Sequence, residues 1–322
     1  MPTSTSRPAT RRRRRRHWSA PSRSGRRGSP TVSTASTCSR HGSNACARCA
    51  SCRRSESPMP LFTLRDGAHL NYEKTGHGPA LFLVPGLGGD GRFWQPQLAE
   101  LARHFTVVVH DHRGTGSSSL SRIDYSVEQM ADDAAQLIEG LGFSRVHWCG
   151  HSTGGAMGQV LAIDRPQLID RLVLSATWAR SDAFFRRLFE VRSGILATQG
   201  PAAYLKASAL ALNTPAWVRA HDAELAAAEA QAATTIPVPE IVLSRIAAIC
   251  RHDRLAELPR IRARTLAICA RDDMVTPPYF TDDLVAAIPG ARALFLPDGG
   301  HLYPNMRGPE FRAALISFLT ES

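Results

Sequence analysis

The chain predicts an α/β architecture: a mostly parallel sheet flanked by helices and interrupted once by a helical insertion. Three observations carry this. From residue 60 onward, short apolar runs alternate with amphipathic helical patterns, the rhythm of strands joined by crossover helices. Two strand ends pass straight into Gly-rich turns, Pro85-Gly86-Leu87-Gly88-Gly89 and Gly150-His151-Ser152-Thr153-Gly154-Gly155. Between about 180 and 258 the rhythm stops, and an Ala-rich helical stretch takes over.

Residues 61–64 and 69–74 flank Asp66-Gly67, a hairpin signal. Ala80–Val84 is a buried strand, 94–103 a helix and 105–110 the next strand. Residues 127–141 are an amphipathic helix closed by Gly142. Residues 146–149 are a strand, followed by a helix to about Arg165, and 172–175 are the sixth strand. The insertion at 180–258 is punctuated by Gly200-Pro201, Thr214-Pro215 and Pro237-Val238-Pro239, and reads as a helical cap. The sheet resumes with strand 265–270, helix 279–288, strand 293–296 and a last helix over 309–319. The core is therefore 59–179 plus 259–322, split by the cap.

The formal net charge of +11 suggests nucleic acid or a membrane surface. Its location argues otherwise. Residues 1–58 hold 14 arginines and one acid, Glu56, so the remainder is near neutral. The tail has no Leu, Ile or Phe before Leu61, and such a composition predicts disorder. The chain holds two lysines, Lys74 and Lys206, a bias towards arginine that points to a GC-rich genome and a spurious upstream frame. Met59 is then the expected start. A targeting or nucleic-acid-binding arm at Arg11–Arg16, or a metal knuckle at Cys46, Cys49 and Cys52 with Cys38, are the competing readings. No apolar run follows the arginines as in a signal peptide, and no stretch is long enough to span a bilayer. Cys149, Cys250 and Cys269 are scattered and read as free thiols in a reducing, cytoplasmic setting. The folded body is expected to bind neither nucleic acid nor membrane. A homo-oligomer is left open.

Gly150-x-Ser152-x-Gly154 is weak evidence alone, since chance supplies such a match roughly one time in ten in a body this long. Its setting strengthens it. The motif joins strand 146–149 to a helix, and Gly150, Gly154, Gly155 and Ala156 are small where strand and helix nearly touch. Ser152 is thus the candidate nucleophile, and a serine hydroxyl needs a base. His301, after Gly299-Gly300 and the last strand, stands in the expected chain order of serine, acid and histidine. His151 adjoins Ser152 and is expected to pack beneath the turn. The acid should follow strand 265–270, where Asp272 and Asp273 compete. The backbone N–H groups of Thr153 and Leu87 are the candidate oxyanion donors. Asp111-x-Arg113-Gly114-x-Gly116 reads as structural, with Arg113 tying loops together.

These motifs identify residues 59–322 as resembling the α/β-hydrolase superfamily. In that superfamily an acid four residues before a Thr-Pro proline is familiar, which implies Asp273 before Thr276-Pro277. The run from Gly86 to Leu98 resembles both 3-oxoadipate enol-lactonases and the aminoacrylate hydrolases of pyrimidine degradation. Residues 124–131 and 178–192 are more similar to the second group. The resemblance implies hydrolysis of a small anionic ester, enol-lactone, amide or aminoacrylate-type substrate, with no cofactor and no metal. C–C bond hydrolysis, a perhydrolase reaction and a catalytically idle binding protein are the alternatives on the same fold. Arg180 and Arg187 are candidate carboxylate partners, and Trp178, Phe184 and Trp217 candidate pocket walls; a solvated helix face and core packing are the competing readings.

Overall fold

The computed structural model describes residues 60–321. The Arg/Ser-rich tail of 1–58, the Met59 start and the Cys46–Cys52 knuckle lie outside the described residues.

A short hairpin opens the chain. β1 (Leu61–Thr63) and β2 (His69–Gly76) pair antiparallel across a turn in which Gly67 takes φ +85°. β3 (Ala80–Val84), α1 (Gln95–Leu101), β4 (Thr106–His110), α2 (Val127–Gly140), β5 (Val146–His151), α3 (Thr153–Asp164) and β6 (Ile169–Ser175) follow. The eight strands are ordered β1-β2-β4-β3-β5-β6-β7-β8, and every pairing from β4 to β8 is parallel. A parallel sheet needs both faces covered, so its central strands are continuously apolar rather than alternating. All five residues of β3 and all six of β5 are buried.

Alternate side chains along each strand feed two cores. Phe82, Trp148 and Leu172 pack with α2 and α3 on one face. Leu81, Leu83, Cys149 and Val173 pack with Leu98 and Leu101 of α1, and Phe311 and Leu315, on the other. Strand order reverses between β3 and β5, and the carboxyl ends of strands at such a switch point form the natural ligand crevice of an open α/β sheet.

The helical cap is inserted after the sixth strand. It comprises α4 (Ala183–Leu212), α5 (Pro215–Ala220), α6 (Asp222–Thr235) and α7 (Pro239–Arg251). The Asp182 carboxylate accepts from Phe185 N at 2.8 Å to start α4, and Thr214 Oγ1 accepts from Trp217 N at 3.1 Å to start α5. Such caps stabilise a helix by about 1 kcal/mol. Gly200 breaks α4 with φ 82°, directly before Pro201. The sheet then closes with β7 (Arg264–Ala270), α8 (Pro278–Ala287) and β8 (Arg292–Leu296), and the chain ends through α9 (Tyr303–Met306) and α10 (Gly308–Thr320). Among the described residues, no single helix is long and apolar enough to cross a membrane.

The loop motif at Asp111–Gly116 is structural, as its composition predicts. Arg113 donates to Asp133 through Nε (2.9 Å) and Nη2 (2.8 Å), and to Asp66 through Nη1 (2.5 Å). Asp111 accepts from Gly91 N at 2.8 Å, Asn71 Nδ2 at 2.9 Å and Ser117 N at 2.8 Å, fastening the loops after β3 and β4 together.

The tightest approach in the fold is between β5, α3 and β3. A Cβ on Gly154 would lie 2.4 Å from Val84 O and 2.8 Å from Pro85 O. Backbone atoms cannot swing aside, so Gly154→Ala should cost about 3 kcal/mol or more. Around Gly194, inside α4, no atom of the described residues outside its own helix backbone and chain neighbours lies within 4 Å of such a Cβ, and Gly194→Ala should instead stabilise by about 0.5–1 kcal/mol. Urea unfolding midpoints of the two variants check both signs. A Gly154→Ala midpoint equal to wild type would contradict the close approach.

Candidate active site

Ser152 stands between β5 and α3 with φ 53° and ψ −115°, a left-handed backbone that L-residues adopt only under constraint. The constraint is visible. Ser152 N donates to Ser175 O at 2.8 Å, while its carbonyl accepts from Thr177 Oγ1 at 2.8 Å and Gly155 N at 2.9 Å. A Cβ on Gly150 would sit 2.0 Å from Gly154 O, so only glycine permits this turn.

His301 and Asp273 form a buried pair. His301 Nδ1 lies 2.8 Å from Asp273 Oδ2, with the two side chains 4% and 0% exposed. Asp273 also accepts from Val275 N (2.8 Å), Thr276 N (3.0 Å) and Thr276 Oγ1 (2.9 Å). A carboxylate so tied holds its geometry, and an Nδ1–H committed to it leaves Nε2 as the proton acceptor. Gly299 (φ 123°) and Gly300 (φ 58°) give the loop before His301 its shape. The rival carboxylate bonds the backbone just before the imidazole. Asp272 accepts from Gly300 N at 2.9 Å and Gly299 N at 3.3 Å. It is therefore an anchor for the histidine loop rather than the loose surface charge its sequence position suggests.

The Gly-rich loop after β3 lies against the serine: a Cβ on Gly86 would be 3.1 Å from Ser152 Cβ. This brings the Gly86–Leu87 peptide next to Ser152. Thr153 is the first residue of α3, where an N–H has no carbonyl of its own helix to meet. The loop is held from the cap. Arg245 of α7 donates from Nη2 to Leu87 O (3.0 Å) and His112 Nδ1 (3.0 Å), and from Nη1 to Arg113 O (2.8 Å). Burial pulls the Arg245 guanidinium down to about 10. His151 packs under the turn, stacked on Phe93 at 4.9 Å with Nδ1 3.1 Å from Ser175 Oγ.

Ser152, His301, Leu87 and Arg245 line one cavity of 1390 Å³ beneath the cap. The cap residues singled out from sequence do not. Arg180 is exposed, pairs in a β-bridge with Asp253 and borders a separate pocket of 210 Å³. Arg187 and Phe184 face solvent. Trp178 is fully buried against Phe185, with centroids 4.4 Å apart, and Trp217 stacks on His221 at 4.6 Å. Helical phase explains the error for Arg187. Phe185, Phe189, Arg192 and Leu196 share the buried stripe of α4, and Arg187 falls about 200° round from Phe185. The cap arginines on the cavity are Arg192 and Arg245 instead, and Arg92 of the core lines it as well. Arg192 and Arg245 each interrupt an apolar helical stripe, which is a signal legible in sequence.

Several buried imidazoles are kept neutral. Burial pushes His110 and His252 down to about 4, and His112 and His151 well below their usual range. Their folded values lie beneath the unfolded 6.5, so their contribution is intact above pH 6.5 and is lost as pH falls towards 4. Burial raises Asp133 to about 6 against the pull of Arg113, which works in the opposite sense. Four imidazoles outweigh one carboxylate. Urea midpoints should therefore drop between pH 7.5 and pH 5, with His110 and His252 contributing on the order of 2 kcal/mol each. A midpoint that rises over this range would contradict the neutral assignment.

Comparison with known proteins agrees with this fold. Residues 79–303 match the alpha/beta hydrolase fold family. The chain is 36% identical over 254 residues to a protein of Azorhizobium caulinodans named "Putative carbamate hydrolase RutD", covering 79% of this chain and 96% of that one. It is 40% identical over 243 residues to the like-named protein of Pseudomonas savastanoi pv. phaseolicola, covering 75% and 93%. Among solved structures, the enol-lactonase from Burkholderia xenovorans superposes with a TM-score of 0.75 at 30% identity, covering 81% of this chain and 100% of that one. A thermophilic esterase from Thermogutta terrifontis gives 0.71 at 27% identity, covering 82% and 98%. The chain, an eight-stranded hydrolase core with a helical cap, belongs to the α/β-hydrolase family.

Proposed function

We propose that this hydrolase is serine-dependent and cleaves a small anionic ester, enol-lactone or amide/aminoacrylate-type substrate through an acyl-enzyme. The observation that carries the reading is the buried Asp273–His301 pair on the same cavity as a conformationally constrained Ser152. The names of the relatives, a carbamate hydrolase and an enol-lactonase, support a small substrate of this kind.

Ser152 Oγ attacks the carbonyl carbon, and His301 Nε2 accepts its proton. Asp273 holds the imidazole tautomer and stabilises the imidazolium. The N–H groups of Thr153 and Leu87 bind the developing oxyanion, which backbone donors already in place do without reorganisation. His301 returns the proton to the leaving group. Water, activated by the same imidazole, then releases the acid and restores Ser152. No step calls for a cofactor.

Two substitution series test this. Ser152→Ala should abolish p-nitrophenyl acetate turnover and fluorophosphonate labelling, and labelling that survives would remove Ser152 from the role of nucleophile. Asp273→Asn should lower kcat by about 10³–10⁴-fold. Asp272→Asn disturbs only the placement of the histidine loop and should cost at most about 10²-fold. A larger loss at Asp272 than at Asp273 would reverse the assignment of the acid.

A further inference from the structure

Arg192 lines the cavity from α4 and is 6% exposed. Among the described residues it has no carboxylate within ion-pair distance. Its hydrogen bonds both leave from Nη2, to Tyr204 Oη at 3.1 Å and Ser208 Oγ at 3.0 Å. Nε is buried and meets no acceptor. A guanidinium carries five N–H donors and does not shed its charge, so most of its donors are unspent. The guanidinium carbon also stands 4.7 Å from the Phe189 ring centroid and 5.2 Å from that of Tyr204. Ring faces and hydroxyls offset only part of the several kcal/mol that desolvating an unpaired ion costs.

The other enclosed arginines are compensated. Arg113 has Asp133 and Asp66, and Arg254 has Asp164 and Glu257. Arg245 lacks an acid but meets two carbonyls and an imidazole nitrogen. Arg192 alone among these combines burial, a cavity wall and open donors. Its position is also built. The break at Gly200 folds the second half of α4 back, so that Tyr204 and Ser208 grip the guanidinium. In an unbroken helix those residues would lie about 18 and 24 Å further along the axis.

We propose that Arg192 is a specificity-determining residue that binds a carboxylate carried by the substrate away from the scissile bond. The carboxylate supplies the missing counter-ion, and the open N–H groups supply charge-assisted hydrogen bonds. The inference rests on the serine-hydrolase reading for the place of the scissile bond, while the anion site itself stands on Arg192.

The test uses the full chain and matched esters: the mono-p-nitrophenyl esters of glutarate and adipate against p-nitrophenyl valerate and hexanoate. Wild type should favour a charged ester over its neutral partner. In Arg192→Gln the charged-to-neutral ratio of kcat/KM should fall about 30-fold, through KM for the charged ester. Arg192→Lys keeps the charge but loses the planar fork, and should give a ratio about 10-fold below wild type. It serves where the Gln variant fails to fold. Absence of a preference in wild type, an unchanged ratio in either folded variant, or equal losses on both esters would each overturn the proposal. Calorimetric titration with adipate separates the two readings. Saturable adipate binding that Arg192→Gln abolishes supports the anion site even in a protein that turns over none of the esters, where only the serine reading fails. No adipate binding to wild type overturns the anion site.

Discussion

The backbone contact between β5, α3 and β3 is the constraint on which the remaining geometry depends. Gly150 and Gly154 let strand and helix approach until a single methyl group would collide with carbonyl oxygens at 2.0 and 2.4 Å. That approach forces the left-handed turn at Ser152 and lifts its side chain into the crevice at the carboxyl ends of the strands. It also sets the Pro85–Gly89 loop beside the serine. The strain is held by the hydrogen bonds around Ser152 and by the hydrophobic layers on both faces of the sheet.

Around that turn, polar groups are placed by divided labour. Asp273 and Asp272 are chain neighbours with different tasks. One is buried on the imidazole, and the other fastens the loop that carries the imidazole. Arg245 links the cap to the core by gripping Leu87 O and Arg113 O, which ties the roof of the cavity to the loop beside the serine. His112 can accept from that guanidinium only while neutral, and burial keeps it so. The cap therefore does more than cover the site; one of its side chains shapes the loop assigned to oxyanion binding.

Much of the fold was legible in the chain because its signals are local. Strand-length apolar runs, Gly-rich turns and the halt in alternation at about 180 depend on neighbours within a few residues. Ser152 and His301 were legible as candidates from strand ends and chain order, and Asp273 over Asp272 from the resemblance. The cap residues were not. Arg180, Arg187, Trp178 and Trp217 stand out by residue type alone, whereas cavity access depends on helical phase and on the break at Gly200. Arg192 and Arg245 carried a usable signal, a charge on an apolar stripe, but that pattern does not say which neighbour the stripe meets.

The amino-acid sequence by itself determined the order of strands and helices, the Gly-x-Ser-x-Gly turn and the family, because steric and hydrophobic periodicities act over short distances along the chain. Only the tertiary structure decided what Asp272 does beside Asp273, which arginines reach the cavity, and how the cap grips the Leu87 loop. Those choices arise where side chains from distant segments compete for the same enclosed space. Burial there makes each unpaired donor costly, and the arrangement that leaves fewest of them is a property of the packed whole.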